Sequence, residues 1–399
     1  MKVLQINVTV NTGSTGRIAE DIGSILINEN HESYIAFGQG NRPSKSEKIK
    51  IGNQFDLYRH GINTLLFDRH GFGSFNATQK LIKRIESIKP DVIGLHNLHG
   101  YYINIKLLFE YLSKSKIPIL WTLYDCWSFT GHCTYFDDIN CEKWKIQCNS
   151  CPKTHRYPRS LIIDNSRLNY IDKKRLFGLP DNLDIVVHSD WLKRNVEDSF
   201  LKSRKIHQIP SGIDIELFKP QTRDLNDPKV ILGVASTWNK RKGLSDFIKL
   251  SHLLGHDYQI VLIGLSKQQI RELPINIRGI YRTENIEELT IWYSKALVFI
   301  NPTYQDNFPT TNIEALACGT PVITYNTGGS PEAINENTGR VVNKGNIQGL
   351  RDAIQELEAL PQEQLRNDCR ARAEKYFDKN NRYQDYLNLY EQILNEKRI

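Results

Sequence analysis

Residues Asn301 to Val322 read Asn-Pro-Thr-Tyr-Gln-Asp-Asn-Phe-Pro-Thr-Thr-Asn-Ile-Glu-Ala-Leu-Ala-Cys-Gly-Thr-Pro-Val. The apolar run Leu297–Asn301 before it has the character of a strand. A Pro-containing loop follows, a helix begins near Thr310–Thr311, and Gly319 stands where a helix is capped. Pro321–Thr324 then reads as the next strand. Strand, loop, helix, strand is the repeat of a parallel sheet covered by helices. The loop carries Asp306 and the first turns of the helix carry Glu314, eight positions on. A helix start offers free N–H groups and a positive dipole end, which suit phosphate. An acidic side chain beside phosphate makes sense if it holds sugar hydroxyls. Without further context, Asp306 could equally be a plain loop carboxylate and Glu314 a helix-surface charge.

The same alternation runs through the chain. Lys2–Val10 is strand-like and leads through Asn11-Thr12-Gly13-Ser14-Thr15-Gly16-Arg17 into Ile18, Ala19, Ile22 and Leu26 at helical spacing. Ser33–Phe37, Asp91–Leu95, Pro118–Leu123 and Asp184–His188 read as strands, with helices over Thr78–Ile88 and Ile105–Leu112. The pattern restarts after Ile209-Pro210-Ser211-Gly212-Ile213-Asp214 with strands at Val230–Ala235 and Gln259–Ile263 and helices at Leu244–Leu254 and Ile286–Ser294. Pro220 to Pro228 is polar and reads as a linker loop. Tyr383, Tyr386, Leu387, Tyr390 and Ile393 give Asn381–Lys397 a helical spacing. Two doubly wound α/β units are expected, divided near residues 200–220. Ligands of such sheets bind at the carboxyl ends of the strands, so a cleft between the units is the expected place for chemistry.

Composition narrows the classes. The chain has 399 residues, 40% hydrophobic and 24% charged. That length and balance exclude a disordered chain and a small disulfide scaffold. No apolar run approaches the roughly 18 residues of a membrane span. The start, Met1-Lys2-Val3-Leu4-Gln5-Ile6-Asn7, is broken by polar residues too early for a signal peptide, so a cytoplasmic protein is expected. The net charge of +7 favours anionic partners without choosing among them.

The segment that closes on Glu314-Ala315-Leu316-Ala317-Cys318-Gly319-Thr320-Pro321-Val322 resembles the signature of glycosyltransferase family 4, retaining nucleotide-sugar transferases of GT-B fold. The family usually has Glu where this chain has Asp306. Ile209 to Asp214, with Phe218 and Pro220, is similar to the family's hinge signature. Arg241-Lys242-Gly243 resembles its Lys-Gly, whose Lys meets the donor diphosphate. A second cation, usually Arg, precedes that Lys by five residues; here the position is Thr237, and Lys240 or Arg241 could substitute. Gly13 and Gly16 resemble the family's first Gly loop, and Asp91 to His96 the strand that delivers a His to the cleft floor. Alone, Lys242 reads as a solvated lysine, the Gly pair as turn glycines and His96 as a core or capping histidine.

Narrower matches are His96-Asn97-Leu98-His99-Gly100-Tyr101-Tyr102, Trp121 to Trp127, Gly131-His132-Cys133 and Asp306 to Asn312. They resemble bacterial transferases of colanic-acid and related surface-polysaccharide assembly. That group commonly has His just before Asp125, where this chain has Tyr124.

The resemblance implies an N-terminal acceptor-side domain over residues 1–208, with 382–399 packing back on it, and a nucleotide-sugar domain over 209–381. It implies a hexosyltransferase moving a sugar from a UDP- or GDP-sugar to a glycan or lipid-linked glycan with retention. Lys242, Arg241 and the helix start at Thr310, Thr311 and Asn312 would meet the diphosphate. Glu314 would bind the ribose, Asp306 the transferred sugar, and His96 the region of the reacting carbon. Preorganised cations and N–H dipoles serve such a leaving charge well. The chain contains no Asp-x-Asp, in keeping with catalysis that needs no metal. Domain closure would exclude water.

Cys133, Cys141, Cys148 and Cys151 end in a Cys-x2-Cys pair. In a cytoplasmic protein such a cluster suggests a structural zinc site before disulfides, with His132 able to replace one thiol; the plain alternative is reduced free thiols. Leu65, Leu66, Phe67, Phe72 and Phe75 are interspersed around Arg69 and His70, with Arg59, Lys80, Lys83, Arg84, Lys153, Arg156, Arg159, Lys173, Lys174 and Arg175 as further cations. Basic beside apolar residues suits peripheral contact with an anionic membrane; ordinary core and solvated helix faces are the alternative. A nucleotide-sugar epimerase or a sugar phosphorylase would share the fold. A basic, zinc-containing nucleic-acid-binding protein is disfavoured because 45 acidic residues accompany 52 basic ones. An NAD oxidoreductase would want Gly-x-Gly-x-x-Gly, and the first loop has only Gly-x-x-Gly.

Overall fold

The computed structural model describes residues 1–222 and 228–396. The chain divides into two compact units: Met1–Ile209 joined by the chain from Tyr383 onward, and Pro210–Arg382. Residues 223–227 of the expected linker, and Lys397 at the end of the expected last helix, lie outside the described residues.

Among the described residues the first unit holds one seven-stranded parallel sheet. Its strands are β1 (Lys2–Val10), β2 (Glu32–Asn41), β3 (Glu47–Lys50), β4 (Val92–Leu95), β5 (Ile119–Leu123), β6 (Leu183–Val187) and β7 (Ile206–Gln208). They lie in the order β3-β2-β1-β4-β5-β6-β7. The central strands are buried on both faces, so they are rich in apolar residues, and the polar exceptions Gln5 and Asn7 of β1 are fully buried too. Val3, Val92, Leu120 and Val186 face Ile18, Ile22 and Leu26 of the helix Gly13–Asn28, and Tyr383, Tyr386, Leu387 and Tyr390 of the helix Lys379–Asn395. Leu4, Ile93, Ile119 and Trp121 point to the other face, where Leu81, Ile85, Leu108, Phe109 and Leu112 cover them. Each fully buried large side chain of this kind contributes roughly 1.5–3 kcal/mol. Phe109, fully buried 4.5 Å from the Phe177 ring, is a single side chain whose truncation to Ala costs about 3–5 kcal/mol.

The second unit repeats the plan with six described strands: β8 (Lys229–Val234), β9 (Tyr258–Ile263), β10 (Ile277–Ile280), β11 (Ala296–Asn301), β12 (Val322–Tyr325) and β13 (Gly339–Val342), ordered β10-β9-β8-β11-β12-β13. In both sheets the winding reverses between neighbours, β1 and β4 in the first and β8 and β11 in the second. That reversal opens a crevice at the carboxyl ends of those strands.

The expected interior strands and helices are present, with ends shifted by a few residues. Four strands without an expectation, β3, β7, β10 and β13, are three or four residues long; β3, β7, β10 and β13 are the four sheet edges. An edge strand is covered less and carries no apolar run to mark it. The helix Gln54–Phe67 likewise has no counterpart among the expected helices. Its buried residues are His60 and Thr64, while Phe55, Tyr58, Ile62 and Phe67 are exposed, so its apolar spacing points the wrong way for a core helix.

Candidate active site

In the second unit the crevice is built by two loops. The loop after β8 turns at Asn239, whose side chain accepts from Lys242 N, and presents Lys240–Lys242. The loop after β11 runs from Pro302 to Pro309. Backbone ties join them: Tyr304 N donates to Arg241 O at 2.7 Å, and the Arg241 guanidinium donates to Gln305 O at 2.8 Å. Lys242 Nζ then reaches Asp306 Oδ2 at 2.6 Å, both side chains about four-fifths buried. The helix Thr310–Ala317 starts immediately beyond, with no side-chain cap on its N-terminus. Its far end closes as a Schellman motif: Thr320 N donates to Ala315 O and Gly319 N to Leu316 O, with Gly319 at φ +73°. The structure therefore brings Arg241, Lys242, Asp306, Thr310 and Thr311 to one switch point. Thr237, the position of the missing second cation, is exposed and its hydroxyl bonds Ser236 O.

Two neighbours behave differently. Asn312 is fully buried and its amide is consumed by Asn301 Nδ2 (2.8 Å), Ser330 O (3.1 Å) and Ser330 Oγ (3.0 Å). It braces the helix start, with its amide N–H donors taken by Ser330. Glu314 is nearly buried and accepts from Tyr293 OH at 2.9 Å. Tyr293 lies in the helix Ile286–Lys295, and nothing in its own spacing marked it as a partner of Glu314. Burial, with the Glu314 charge behind it, holds its phenol well above the usual tyrosine range. Gln305 Nε2 and Thr327 Oγ1 are buried without a hydrogen-bond partner in loops that flank Asp306. Unpaired buried donors are rare and call for a partner.

In the first unit Gly13 opens the helix Gly13–Asn28 at φ +67°, with open space where a Cβ would stand. At Gly16 a Cβ would come within 2.6 Å of Thr9 Oγ1, so close packing of helix on strand requires glycine there. His96 follows β4 but is only 1% exposed. Gln5 already uses its amide N–H on Ala19 O, so its oxygen accepts from His96 Nε2 at 2.9 Å. His96 Nδ1 must then accept from Tyr124 OH at 2.8 Å. Burial drives its pKa down to about 3. The expectation set His96 against the transferred sugar; the structure sets it beneath the crevice, neutral and with both nitrogens engaged.

The loop between β5 and the helix Ser166–Gly178 has its own small core. Trp144 packs on Phe136 at 4.7 Å and on Phe129 at 5.2 Å. Lys173 is buried, donates to Trp127 O at 2.7 Å and Thr130 O at 3.1 Å, and lies 3.5 Å over the Trp127 ring. Burial lowers its pKa to about 7. Cys133, Cys141, Cys148 and Cys151 are free thiols in this loop. The Cys133 and Cys151 thiols share a hydrogen bond and Cys148 Sγ accepts from Gly131 N at 3.2 Å. Among the described residues no three His, Cys, Asp or Glu side chains are grouped closely enough to hold a metal ion.

Phe55 (72%), Tyr58 (71%), Ile62 and Phe67 form an exposed apolar side of the helix Gln54–Phe67. The exposed Leu161-Ile162-Ile163 segment is fastened to its end by Leu161 N to Leu65 O at 2.8 Å and Asn165 Nδ2 to Phe67 O at 2.8 Å. Arg59 on that helix and Arg156, Arg159 and Arg167 on either side of Leu161–Ile163 are exposed. Among the described residues no helix is long and apolar enough to cross a membrane.

Known proteins resemble this chain along its length. Residues 15–217 match the family model described as Glycosyltransferase Family 4, and residues 214–376 that described as Glycosyl transferases group 1. WcaC of Escherichia coli K12, named as a glycosyl transferase of colanic acid biosynthesis, is 25% identical over 370 residues, 87% of this chain and 88% of its own. CapM of Staphylococcus aureus, named as a capsular polysaccharide biosynthesis glycosyltransferase, is 26% identical over 53% of this chain and 62% of its own. Among solved structures, a sucrose-phosphate synthase from Thermosynechococcus elongatus superposes with TM-score 0.72 at 18% identity, covering 99% of each chain. Anabaena HepE in complex with UDP superposes with TM-score 0.67 at 14% identity, covering 98% of this chain and 100% of its own. The two switch-point sheets and these matches agree on one assignment: the chain is an enzyme of GT-B fold and belongs to glycosyltransferase family 4.

Proposed function

We propose that this glycosyltransferase moves a sugar from a nucleoside-diphosphate sugar, UDP- or GDP-linked, to a hydroxyl of a lipid-linked precursor of a cell-surface polysaccharide. The observation that carries the donor half is the convergence of Lys242, Arg241, Asp306 and an uncapped helix N-terminus at the β8/β11 switch point. Cations and unpaired N–H groups meet a diphosphate; a carboxylate beside them meets sugar hydroxyls. That a relative of similar fold was solved with UDP supports a nucleotide there. The names of WcaC and CapM support the polysaccharide half.

In this reading the bond from anomeric carbon to phosphate oxygen breaks first. Lys242 and the N–H groups of Thr310 and Thr311 stabilise the departing charge, held in place before the reaction begins. Asp306 holds hydroxyls of the transferred sugar and Glu314, fixed by Tyr293, the ribose. The acceptor hydroxyl gives its proton to the leaving phosphate oxygen as the new bond forms on the same face, so configuration is retained. His96 works at one remove, fixing Gln5 and Tyr124. This reading calls for no divalent ion. Transfer from UDP- or GDP-sugars to a lipid-linked acceptor in the presence of chelator, with the product's anomeric configuration read by proton NMR, tests it; an inverted product or an absolute metal requirement overturns it.

A lipid-linked acceptor puts the enzyme at a bilayer. The exposed apolar side of Gln54–Phe67, with Leu161–Ile163 and the neighbouring arginines, is the face proposed to rest on anionic headgroups. Co-sedimentation with phosphatidylglycerol vesicles that Phe55→Ser/Ile162→Ser leaves unchanged would contradict it. A structural zinc ion on Cys133, Cys141, Cys148 and Cys151 is proposed for the loop, in place of free thiols. Metal content of the purified protein decides: about one equivalent of zinc supports it, none rejects it.

A further inference from the structure

The carboxyl ends of β4 and β5 carry a group of side chains to which the donor chemistry gives no task. His99 Nε2 lies 2.7 Å from Asp125 Oδ2 and His99 Nδ1 lies 2.9 Å from Tyr157 OH. Asp125 Oδ1 accepts from Trp127 N at 2.9 Å, which fixes the carboxylate. The imidazole is supported from below. It sits 5.6 Å from the Trp127 ring and 6.2 Å from that of His70. His70 is itself locked, since its Nε2 accepts from Gly100 N at 3.2 Å. Tyr157 is 42% exposed as a residue, while the His99 and Asp125 side chains are 13% and 14% exposed; burial holds the Tyr157 phenol well above the usual tyrosine range.

Hydrogen-bond accounting orients the row. An ionised Asp125 can only accept, so His99 Nε2 donates to it. With the imidazole neutral, Nδ1 accepts the Tyr157 proton. The phenol oxygen then keeps lone pairs that nothing in this row uses, and the Asp125 carboxylate keeps acceptor capacity. What remains on offer is a partly open aromatic face beside fixed acceptors for O–H donors. An anion is disfavoured next to Asp125. A pyranose fits: its hydroxyls donate to such acceptors and its C–H face lies on an aromatic ring.

We propose that Asp125, His99 and Tyr157 form a saccharide-binding subsite in the N-terminal unit, taking a sugar residue of the acceptor glycan. The proposal rests on the glycosyltransfer reading for calling that sugar the acceptor. A terminal acceptor hexose donates a hydroxyl to Tyr157 Oη and lies against its ring, while His99 and Asp125 fix where that oxygen stands.

Saturation-transfer NMR with a panel of methyl glycosides (gluco, galacto, manno, fuco and N-acetylglucosamine forms), presented without donor, tests the subsite. At least one glycoside is expected to receive saturation from the wild type. Tyr157→Phe, which removes only the hydroxyl, is expected to weaken that binding about 5- to 10-fold, the worth of one hydrogen bond. Asp125→Asn is expected to weaken it similarly, and Tyr157→Ala to abolish it. An unchanged nucleotide-induced rise in Tm shows that the variants fold. No saturation with any glycoside, or equal saturation in wild type and all three variants, overturns the subsite. Failure of the wild type to bind any nucleotide overturns the donor reading instead, and the glycoside result stands apart from it because no donor is present.

Discussion

Lys242 Nζ and Asp306 Oδ2 close an ion pair at 2.6 Å between loops that leave the adjacent strands β8 and β11. The pair sets a condition on the donor. A diphosphate that takes Lys242 must share it with, or pull it from, a carboxylate that a sugar hydroxyl then occupies. Nucleotide alone meets the cation and the repulsion of Asp306; nucleotide sugar meets the cation and gives Asp306 a hydroxyl donor. Removing Asp306 therefore separates two quantities. Asp306→Ala is expected to bind free nucleoside diphosphate several-fold more tightly than wild type while losing at least about 100-fold in transfer rate. Calorimetry for the first and product formation for the second check this; weaker nucleotide binding in the variant would refute the sharing of Lys242.

Glu314 serves both the proposed ribose contact and Tyr293. Glu314→Ala leaves a fully buried phenol without its acceptor, at a cost of about 1–3 kcal/mol in denaturant unfolding. Glu314→Gln keeps an acceptor for Tyr293 and is expected to recover most of that stability without recovering full nucleotide affinity. Recovery of both together would mean that Glu314 acts only through Tyr293.

The buried histidines make the first unit acid-sensitive. Burial lowers His60 and His188 to about 4 and His96 to about 3. In the unfolded chain they titrate near 6.5. Between those values the unfolded state binds more protons, so stability is complete above pH 6.5 and falls as the pH drops toward 4. The slope approaches about 1.4 kcal/mol per pH unit for each such group. Urea midpoints measured from pH 7.5 to 4.5 are expected to fall steeply below 6.5. Replacing His60 with Gln should flatten that fall; an unaltered slope would mean that His60 charges in the native state.

Lys173 ties the β5 loop to its helix through two carbonyls and the Trp127 face. Lys173→Ala opens a cavity and strands both carbonyls, with an expected loss of about 3 kcal/mol or more. Lys173→Met refills the volume but not the bonds and should lie between. Equal stability of Met and Lys forms would show that packing alone holds the loop.

The fold was legible where burial on both faces wrote short apolar-rich runs, as in β4, β5 and β11. It was illegible where an element lies at an edge, as β3 and β13 do, or turns its apolar side outward, as Gln54–Phe67 does. Of the site, the group around Asp306 and Lys242 could be read because a strand end, a Pro loop and a helix start sit in one local stretch. Asn312 stands at the helix start expected to meet the diphosphate, and its side chain braces that start on Asn301 and Ser330, 11 and 18 positions away, a tie that no local spacing shows. The Tyr157 contact to His99 spans 58 positions and the Asp125 contact 26, so no local spacing announces the row they form. His96 stands at the expected strand end; the side chains that close over it, Gln5 of β1 and Tyr124 just past β5, come from elsewhere in the sheet and decide its exposure.

The most direct test of the account is the binding of UDP, GDP and their hexose conjugates, by thermal shift with chelator present, to the wild type and to Lys242→Ala. The account predicts that one nucleotide series raises the Tm of the wild type and that the rise is lost in Lys242→Ala, while the variant alone melts where the wild type does. A rise of equal size in both proteins, or one that appears only when a divalent ion is added, would contradict the assignment of the β8/β11 switch point as the donor site.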